Sequence, residues 1–254
     1  MPTVEPIKLK YAPTVRQPKV PFHSLPSSWV QIGPSSVGKS VVLIRSLVDQ
    51  DKLGGCFQRY ELFSPNIHQD PQFQMLIDYV VSQTGQKPED FCHEEVDQTF
   101  IKSVMEDQKK ANAYLRKIGS KRLLSCCIVL DDLGDNAQVV RANSSIVNAL
   151  FTRGRHYIIS TFLLLQKFKM ASTNIRFNAM TIIVHKLNSQ ADLDAICEEF
   201  DGITHGKENF LTMYRKATEN KFGFLKIVTG SVPRFYSSFE AEFRLPALDD
   251  ETHG

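Results

Sequence analysis

A chain of 254 residues with 42% hydrophobic and 23% charged residues is long enough to bury a sizeable core and has the composition of an ordinary globular domain. Its formal net charge of +2 excludes a uniformly basic surface, so any nucleic-acid contact must come from a local patch. No apolar run approaches the roughly 18 residues that span a bilayer, and the N-terminus lacks the apolar stretch of a secretion signal, so a cytosolic or nuclear setting is expected.

Residues 1–27 hold six of the twelve prolines, which rules out a regular helix and predicts an extended arm lying on the domain or on a neighbour. Trp29-Val30-Gln31-Ile32 is then an apolar run suited to a buried strand, and Val41 to Val48 continues as a helix. Between them Gly33, Pro34, Ser35, Ser36, Val37, Gly38, Lys39 and Ser40 fit the G-x-x-x-x-G-K-[ST] pattern of a phosphate-binding loop. The glycines let the backbone turn tightly and aim its amides inward, and the helix N-terminus adds positive potential. Lys39 is expected to reach the β and γ phosphates, and Ser40 to hold Mg²⁺ through its hydroxyl.

Gly54-Gly55 breaks the chain before a second strand, Arg59 to Ser64, and Pro71 to Ser82 reads as a helix. Five acidic residues lie between Glu89 and Asp97, and Lys102 to Arg122 then holds seven basic residues against two acidic ones in a helix-forming composition. That helix either faces DNA phosphates or is a solvated helix paired with its acidic neighbour. Cys92-His93-Glu94-Glu95 is not read as a metal site, because contiguous side chains cannot all converge on one ion. The five cysteines, odd in number and without a C-x-x-C pair, are expected to be reduced thiols, with Cys126 and Cys127 as small buried hydrophobes.

Leu123 to Leu130 is a nearly continuous apolar run ending in Asp131-Asp132, the way a buried parallel strand delivers carboxylates to a site at its C-terminal end. This predicts a Walker B element, with Asp131 in the Mg²⁺ shell and Asp132 as general base or orienter of the attacking water. A helix from Asn136 to Phe151 follows. Tyr157 to Leu165 is a third apolar strand, ending in Gln166, which can hydrogen-bond a γ phosphate or its water. Just upstream, Thr152-Arg153-Gly154-Arg155-His156 places two guanidinium groups at the strand's opposite end.

Ala179 to Val184 is expected as a strand, Gln190 to Phe200 and Lys207 to Thr218 as helices, and Lys221 to Val228 as an edge strand. Phe210, Tyr214 and Arg215 can stack on nucleic acid, although aromatic residues at helical spacing favour the core. Residues 231–254 carry five acids against two arginines and read as an acidic tail, leaving residues 28–230 as one α/β domain.

Together the GPSSVGKS loop, the strand ending in Asp131-Asp132, TRGRHYIISTFLLLQ from Thr152 and NIRFNAMTIIV from Asn174 resemble the genome-packaging ATPases of poxviruses and giant viruses. These are similar in turn to the FtsK and HerA DNA translocases. The resemblance covers roughly residues 28 to 185, and it implies a RecA-like P-loop domain with a mainly parallel sheet and the Gln166 strand between the Walker A and Walker B strands. It also implies a homo-oligomeric ring, pentamer or hexamer, that moves double-stranded DNA at the expense of ATP and Mg²⁺. Capsid or portal-vertex proteins are implied as partners, and the viral factory of the host cytoplasm and the virion as the setting. Lys39, Ser40, Asp131, Asp132 and Gln166 fall on matching positions, and Arg155, with Arg153 as second choice, on that of an arginine acting on a neighbouring subunit's ATP. Many relatives have Glu where this chain has Asp132. The alternatives are a nucleotide kinase, which wants an arginine-bearing lid, and a nucleotide-gated scaffold with weak hydrolysis. A GTPase is excluded, since no Asn-Lys-x-Asp motif occurs.

Overall fold

The structure is a computed structural model and describes residues 13–19, 22–133 and 145–245. The first part of the arm, the first turns of the helix expected from Asn136 and the last residues of the acidic segment lie outside them.

One sheet gathers the strands β1 (Ser28–Ile32), β2 (Arg59–Phe63), β3 (Cys92–His93), β4 (Cys126–Leu130), β5 (Ile159–Leu165), β6 (Thr181–His185), β7 (Phe224–Val228), β8 (Arg234–Ser237) and β9 (Ala241–Phe243). Their order is β3-β2-β4-β5-β1-β6-β7-β8-β9. The pairs from β3 to β6 are parallel, and β7, β8 and β9 add on antiparallel. β1, β4, β5 and β6 are buried at every residue, which is why they read as continuous apolar runs: helices cover both faces of a parallel sheet.

On one face lie α1 (Lys39–Val48), α2 (Pro71–Thr84) and α3 (Pro88–Phe91), packed around Trp29, Leu43, Leu47, Leu76 and Phe91. The opposite face carries α4 (Gln98–Lys117), α5 (Ile146–Arg153), α6 (Thr173–Asn178), α7 (Gln190–Phe200) and α8 (Lys207–Ala217), around Ile101, Leu150, Ile175, Ile196 and Phe210. Local chemistry starts these helices. Asp70 accepts from the Gln72 amide ahead of α2, with Pro71 in the first turn, and Asp97 accepts from the Thr99 amide ahead of α4. Phe210 and Tyr214 are core residues, as helical spacing favours.

Three expectations are corrected. The strand expected from Leu123 begins at Cys126, because the backbone before it is paired otherwise: Leu123 N donates to Thr14 O of the arm at 3.0 Å, and Asn112 brackets Leu124. Asn112 Oδ1 accepts from Leu124 N at 2.8 Å and its Nδ2 donates to Leu124 O at 3.0 Å. The edge strand expected over 221–228 is instead an interior strand, β7, buried at all five residues between β6 and β8. Its one central lysine, Lys226, is accommodated there: the ammonium lies 4.0 Å from the Tyr236 ring centroid and donates to Phe239 O at 3.2 Å. Finally, the acidic segment does not leave the domain at residue 231: β8 and β9 extend the sheet to Phe243, with Phe235 and Tyr236 buried. Counting acids had masked those two anchors.

The described part of the arm lies on its own domain. Val15 and Leu25 are buried, and the Phe22 ring stacks on Trp29 and Phe239 with centroids 5.7 and 4.8 Å away.

Asn112 holds both polar groups of Leu124 from a position only 1% exposed. Asn112→Leu keeps the branched shape but strands those groups, and should cost about 2 kcal/mol of unfolding free energy in urea. Ala113→Leu, one residue on and exposed, exchanges two good helix formers and should change it little. Equal effects of the two substitutions would overturn the assignment.

Candidate active site

The site is built where β1 ends. Gly33 N donates to Leu165 O at 3.1 Å, which ties the start of the loop to β5. Two glycines are required here. A Cβ on Gly33 would lie 2.8 Å from His185 Cβ, and Gly38, at φ +94°, is in the left-handed region with the Phe222 ring 3.1 Å from where its Cβ would be. Helix α1 begins at Lys39 with no side chain capping its first amides, which leaves those donors facing the cleft.

Lys39 Nζ donates to the carbonyls of its own loop, Gly33 O at 2.6 Å and Pro34 O at 2.9 Å. Burial holds its pKa below the usual lysine range, against the pull of Asp131 and Asp132. Ser40 Oγ donates to Asp131 Oδ2 at 3.1 Å. Asp131 is 7% exposed, and burial pushes its carboxyl up to about 6, the Ser40 bond and the Lys39 charge offsetting only part. Next to it, Asp132 adopts φ 50°, a conformation Asp tolerates better than most residues, and accepts from Gln166 Nε2 at 3.0 Å. β5 lies between β4 and β1, so Gln166 emerges between the phosphate loop and the two carboxylates.

These groups line a cleft of about 480 Å³ together with Ser35, Ser36 and Phe222. Gly33 and Pro34 take part through their carbonyls, while Val37 packs behind, 2.9 Å from the position of a Gly33 Cβ. A deep cation, hard oxygen donors and free helix amides can bind a polyphosphate. Mg²⁺ fits the same set: Ser40 Oγ and Asp131 supply two oxygens, suited to an ion that keeps water and phosphate oxygens as its remaining ligands. Among the described residues no cluster of three or more His, Cys, Asp or Glu could hold a metal. His93 Nε2 instead lies 3.0 Å from Glu61 Oε2. Cys126 and Cys127 are buried thiols whose pKa burial raises.

Arg155 is not in the cleft. It is exposed in the 3-10 turn before β5, its Nη1 3.7 Å from Met180 Sδ, and the seven residues of β5 put about 20 Å of strand between it and Gln166. Arg153 is exposed beside Lys102 and Lys109 in a second groove, and Arg176 is engaged at 3.2 Å by Glu199. On α4, Lys109, Lys110, Arg116 and Lys117 are exposed, and among the described residues none of them forms an ion pair. Two residues escaped the sequence reading. Phe222 lies in a stretch that reads only as strand, and His185 closes an apolar run; what brings both to the phosphate loop is sheet order, which no local pattern encodes.

The family model described as Poxvirus A32 protein matches residues 26–241. The chain belongs to that family. No curated protein sequence matches it. Among solved structures, the genome packaging NTPase B204 of Sulfolobus turreted icosahedral virus 2 in complex with AMP has a TM-score of 0.52 at 14% identity, over 82% of this chain and 96% of that one. Its complex with ATP-gammaS gives 0.51 at 12% identity, over 84% and 97%. The pCW3 conjugation coupling protein TcpA, with ATPgS, gives 0.54 at 16% identity, over 84% and 60%. At such identities the likeness shows the fold, a RecA-like P-loop domain. This A32-family member is a P-loop ATPase, and among its described residues no helix is long and apolar enough to cross a membrane.

In this A32-family chain His185 ends β6 directly behind the phosphate loop, fully buried, its ring 5.4 Å from that of Phe224 and, among the described residues, neither nitrogen in a hydrogen bond of normal geometry. Burial lowers its pKa to about 4, the Lys39 charge adds to this, and the Val37 backbone offsets a part. A folded value of about 4 below an ordinary 6.5 means stability that is fully present above pH 6.5 and lost as pH falls towards 4. Between pH 7.5 and 5.0 His185 contributes a loss of about 2 kcal/mol, which the raised Asp131 carboxyl opposes in wild type and variant alike, so His185→Leu should differ from wild type by that amount in the pH dependence of urea unfolding. An unchanged pH slope in the variant would refute the assignment.

Proposed function

We propose that this P-loop ATPase translocates double-stranded DNA into a viral capsid, hydrolysing ATP at the subunit interfaces of a homo-oligomeric ring, pentamer or hexamer. The observation that carries the reading is the two-ended design of the chain. Lys39, Ser40, Asp131, Asp132 and Gln166 gather at the C-terminal ends of β1, β4 and β5, while Arg155 is exposed at the other end of β5. An arginine so placed reaches a phosphate site only on another subunit.

Within one site, Lys39 exchanges its loop carbonyls for β and γ phosphate oxygens, where negative charge develops in the transition state. Ser40 and Asp131 hold Mg²⁺, which when bound neutralises charge on those oxygens. Asp132 accepts the proton of the water that attacks the γ phosphorus as the bond to the ADP oxygen breaks, and Gln166, bonded to Asp132, orients that water or the phosphate. The exposed cations of α4 are candidates for the DNA backbone. Family membership supports a viral setting; the host cytoplasmic factory and virion, with capsid or portal-vertex proteins as partners, belong to the same proposal. A kinase reading lacks support: among the described residues lining the cleft there is no arginine to form a lid.

The deciding experiment is turnover with and without duplex DNA, with sizing in a non-hydrolysable ATP analogue. Duplex should raise turnover, less so after charge reversal at Lys109, Lys110, Arg116 and Lys117. Lys39→Ala should abolish hydrolysis, while Asp132→Asn should bind ATP yet turn over slowly. Turnover indifferent to DNA in assembled rings would sink the motor.

Arg155→Ala should bind ATP normally and lose on the order of a thousandfold in turnover. Mixing it with Lys39→Ala subunits should restore part of the activity, because a mixed interface pairs an intact Lys39 with an intact Arg155. Mixed rings as inactive as their parents would disprove action in trans.

A further inference from the structure

The cleft is larger than a phosphate chain requires. At about 480 Å³ it falls in the range of sites that take a whole small molecule, and its wall changes character from the polar loop and carboxylates to Val41, Leu164 and Phe222. Of the two aromatic residues in that wall, Phe73 is buried at 2% exposure, whereas Phe222 is 53% exposed. An exposed phenyl ring on a loop ordinarily turns towards the core; this one is held at the phosphate loop.

What holds it is a tight turn between α8 and β7. Gly223 N donates to Asn220 O at 3.0 Å, and a Cβ on Gly223 would lie 2.4 Å from Ala217 O, so the chain closes there only with glycine. The Lys221 ammonium sits 5.3 Å from the Phe222 centroid, a cation–π contact that steadies the ring. On the other side the ring approaches Gly38, whose missing side chain leaves it room. A half-exposed aromatic face beside a phosphate loop matches the chemistry of a nucleobase, which presents a π face of its own.

We propose that Phe222 is the stacking platform for the base of the bound nucleotide, so that the turn before β7 completes the site that the phosphate loop begins. This rests on the reading of the loop as the triphosphate site given above. Stacking on one aromatic ring corresponds to about tenfold or more in affinity.

The test compares ATP with inorganic tripolyphosphate, which lacks a base, by calorimetry on the full chain. Phe222→Ala should weaken ATP about tenfold or more and leave tripolyphosphate unchanged. Phe222→Trp should keep ATP affinity and add an indole whose emission changes with ATP but not with tripolyphosphate; the chain's one native tryptophan, Trp29, is buried at 1% exposure and serves as a constant background. Equal ATP affinity in wild type and Phe222→Ala, or a parallel loss for tripolyphosphate, overturns the proposal. Lys39→Ala separates the two readings, since it should weaken both ligands. If wild type and Lys39→Ala bind tripolyphosphate alike, the phosphate-site reading fails, not the stacking geometry. Phe222 is largely exposed, and unchanged urea unfolding of both variants checks that the fold is kept.

Discussion

Lys39 and Asp131 oppose each other across the end of the sheet, and each is costly alone. Burial favours the neutral form of both, lowering the lysine and raising the carboxyl to about 6, while each charge partly restores the other. Loop carbonyls hold the ammonium and a serine hydroxyl holds the carboxylate. The loop folds back across β5, so that Ser40, next to Lys39, reaches Asp131 Oδ2 at 3.1 Å. A phosphate chain with a divalent cation answers both charges. The site is thus a strained electrostatic arrangement that the sheet maintains in readiness for an anion and a cation together.

The sheet also gives the molecule its polarity. Because β3 to β6 run in parallel, every loop at their C-terminal ends faces one way and every entry to them faces the other. The carboxylates, the phosphate loop and Gln166 occupy the first end, while Arg155 and the described part of the arm occupy the second. On the proposed reading, joining the two ends needs a second copy, and hydrolysis then becomes a property of the interface.

What was legible in the sequence follows from the range of the interactions involved. The phosphate loop, the buried strands on either side of it, Asp131-Asp132 and Gln166 are all written in short contiguous spans, where period and strand ends suffice. The geometry brings them into one cleft, and the insertion of β5 between β1 and β4, expected from the resemblance, is observed. The failures are long-range. Asn112 replaces strand pairing at Leu124 across twelve positions, which no local pattern signals. The alternation over 221–228 suggested an edge because the partners that bury Lys226, Tyr236 and Phe239, come from the segment read as a tail. Phe222 and His185 acquire meaning only once β6 lies beside β1.

Composition drew boundaries at residues 27 and 230 that packing does not respect. Starting at the phosphate loop, Gly33 abuts His185, whose ring lies 5.4 Å from Phe224; Phe224 lies 5.0 Å from Phe239, Phe239 4.8 Å from Phe22 of the arm, and Phe22 5.7 Å from Trp29 on β1. The chain of rings returns to the strand that launches the loop. Aromatic contacts of this kind contribute beyond the area they bury, about 0.5–1.5 kcal/mol per pair, and here they join three stretches distant in sequence. The proline-rich arm and the antiparallel strands are therefore packed into one body with the strand that leads into the phosphate loop. Removing either would expose Trp29 or Phe224 and loosen the packing that keeps His185 dry beneath Gly33.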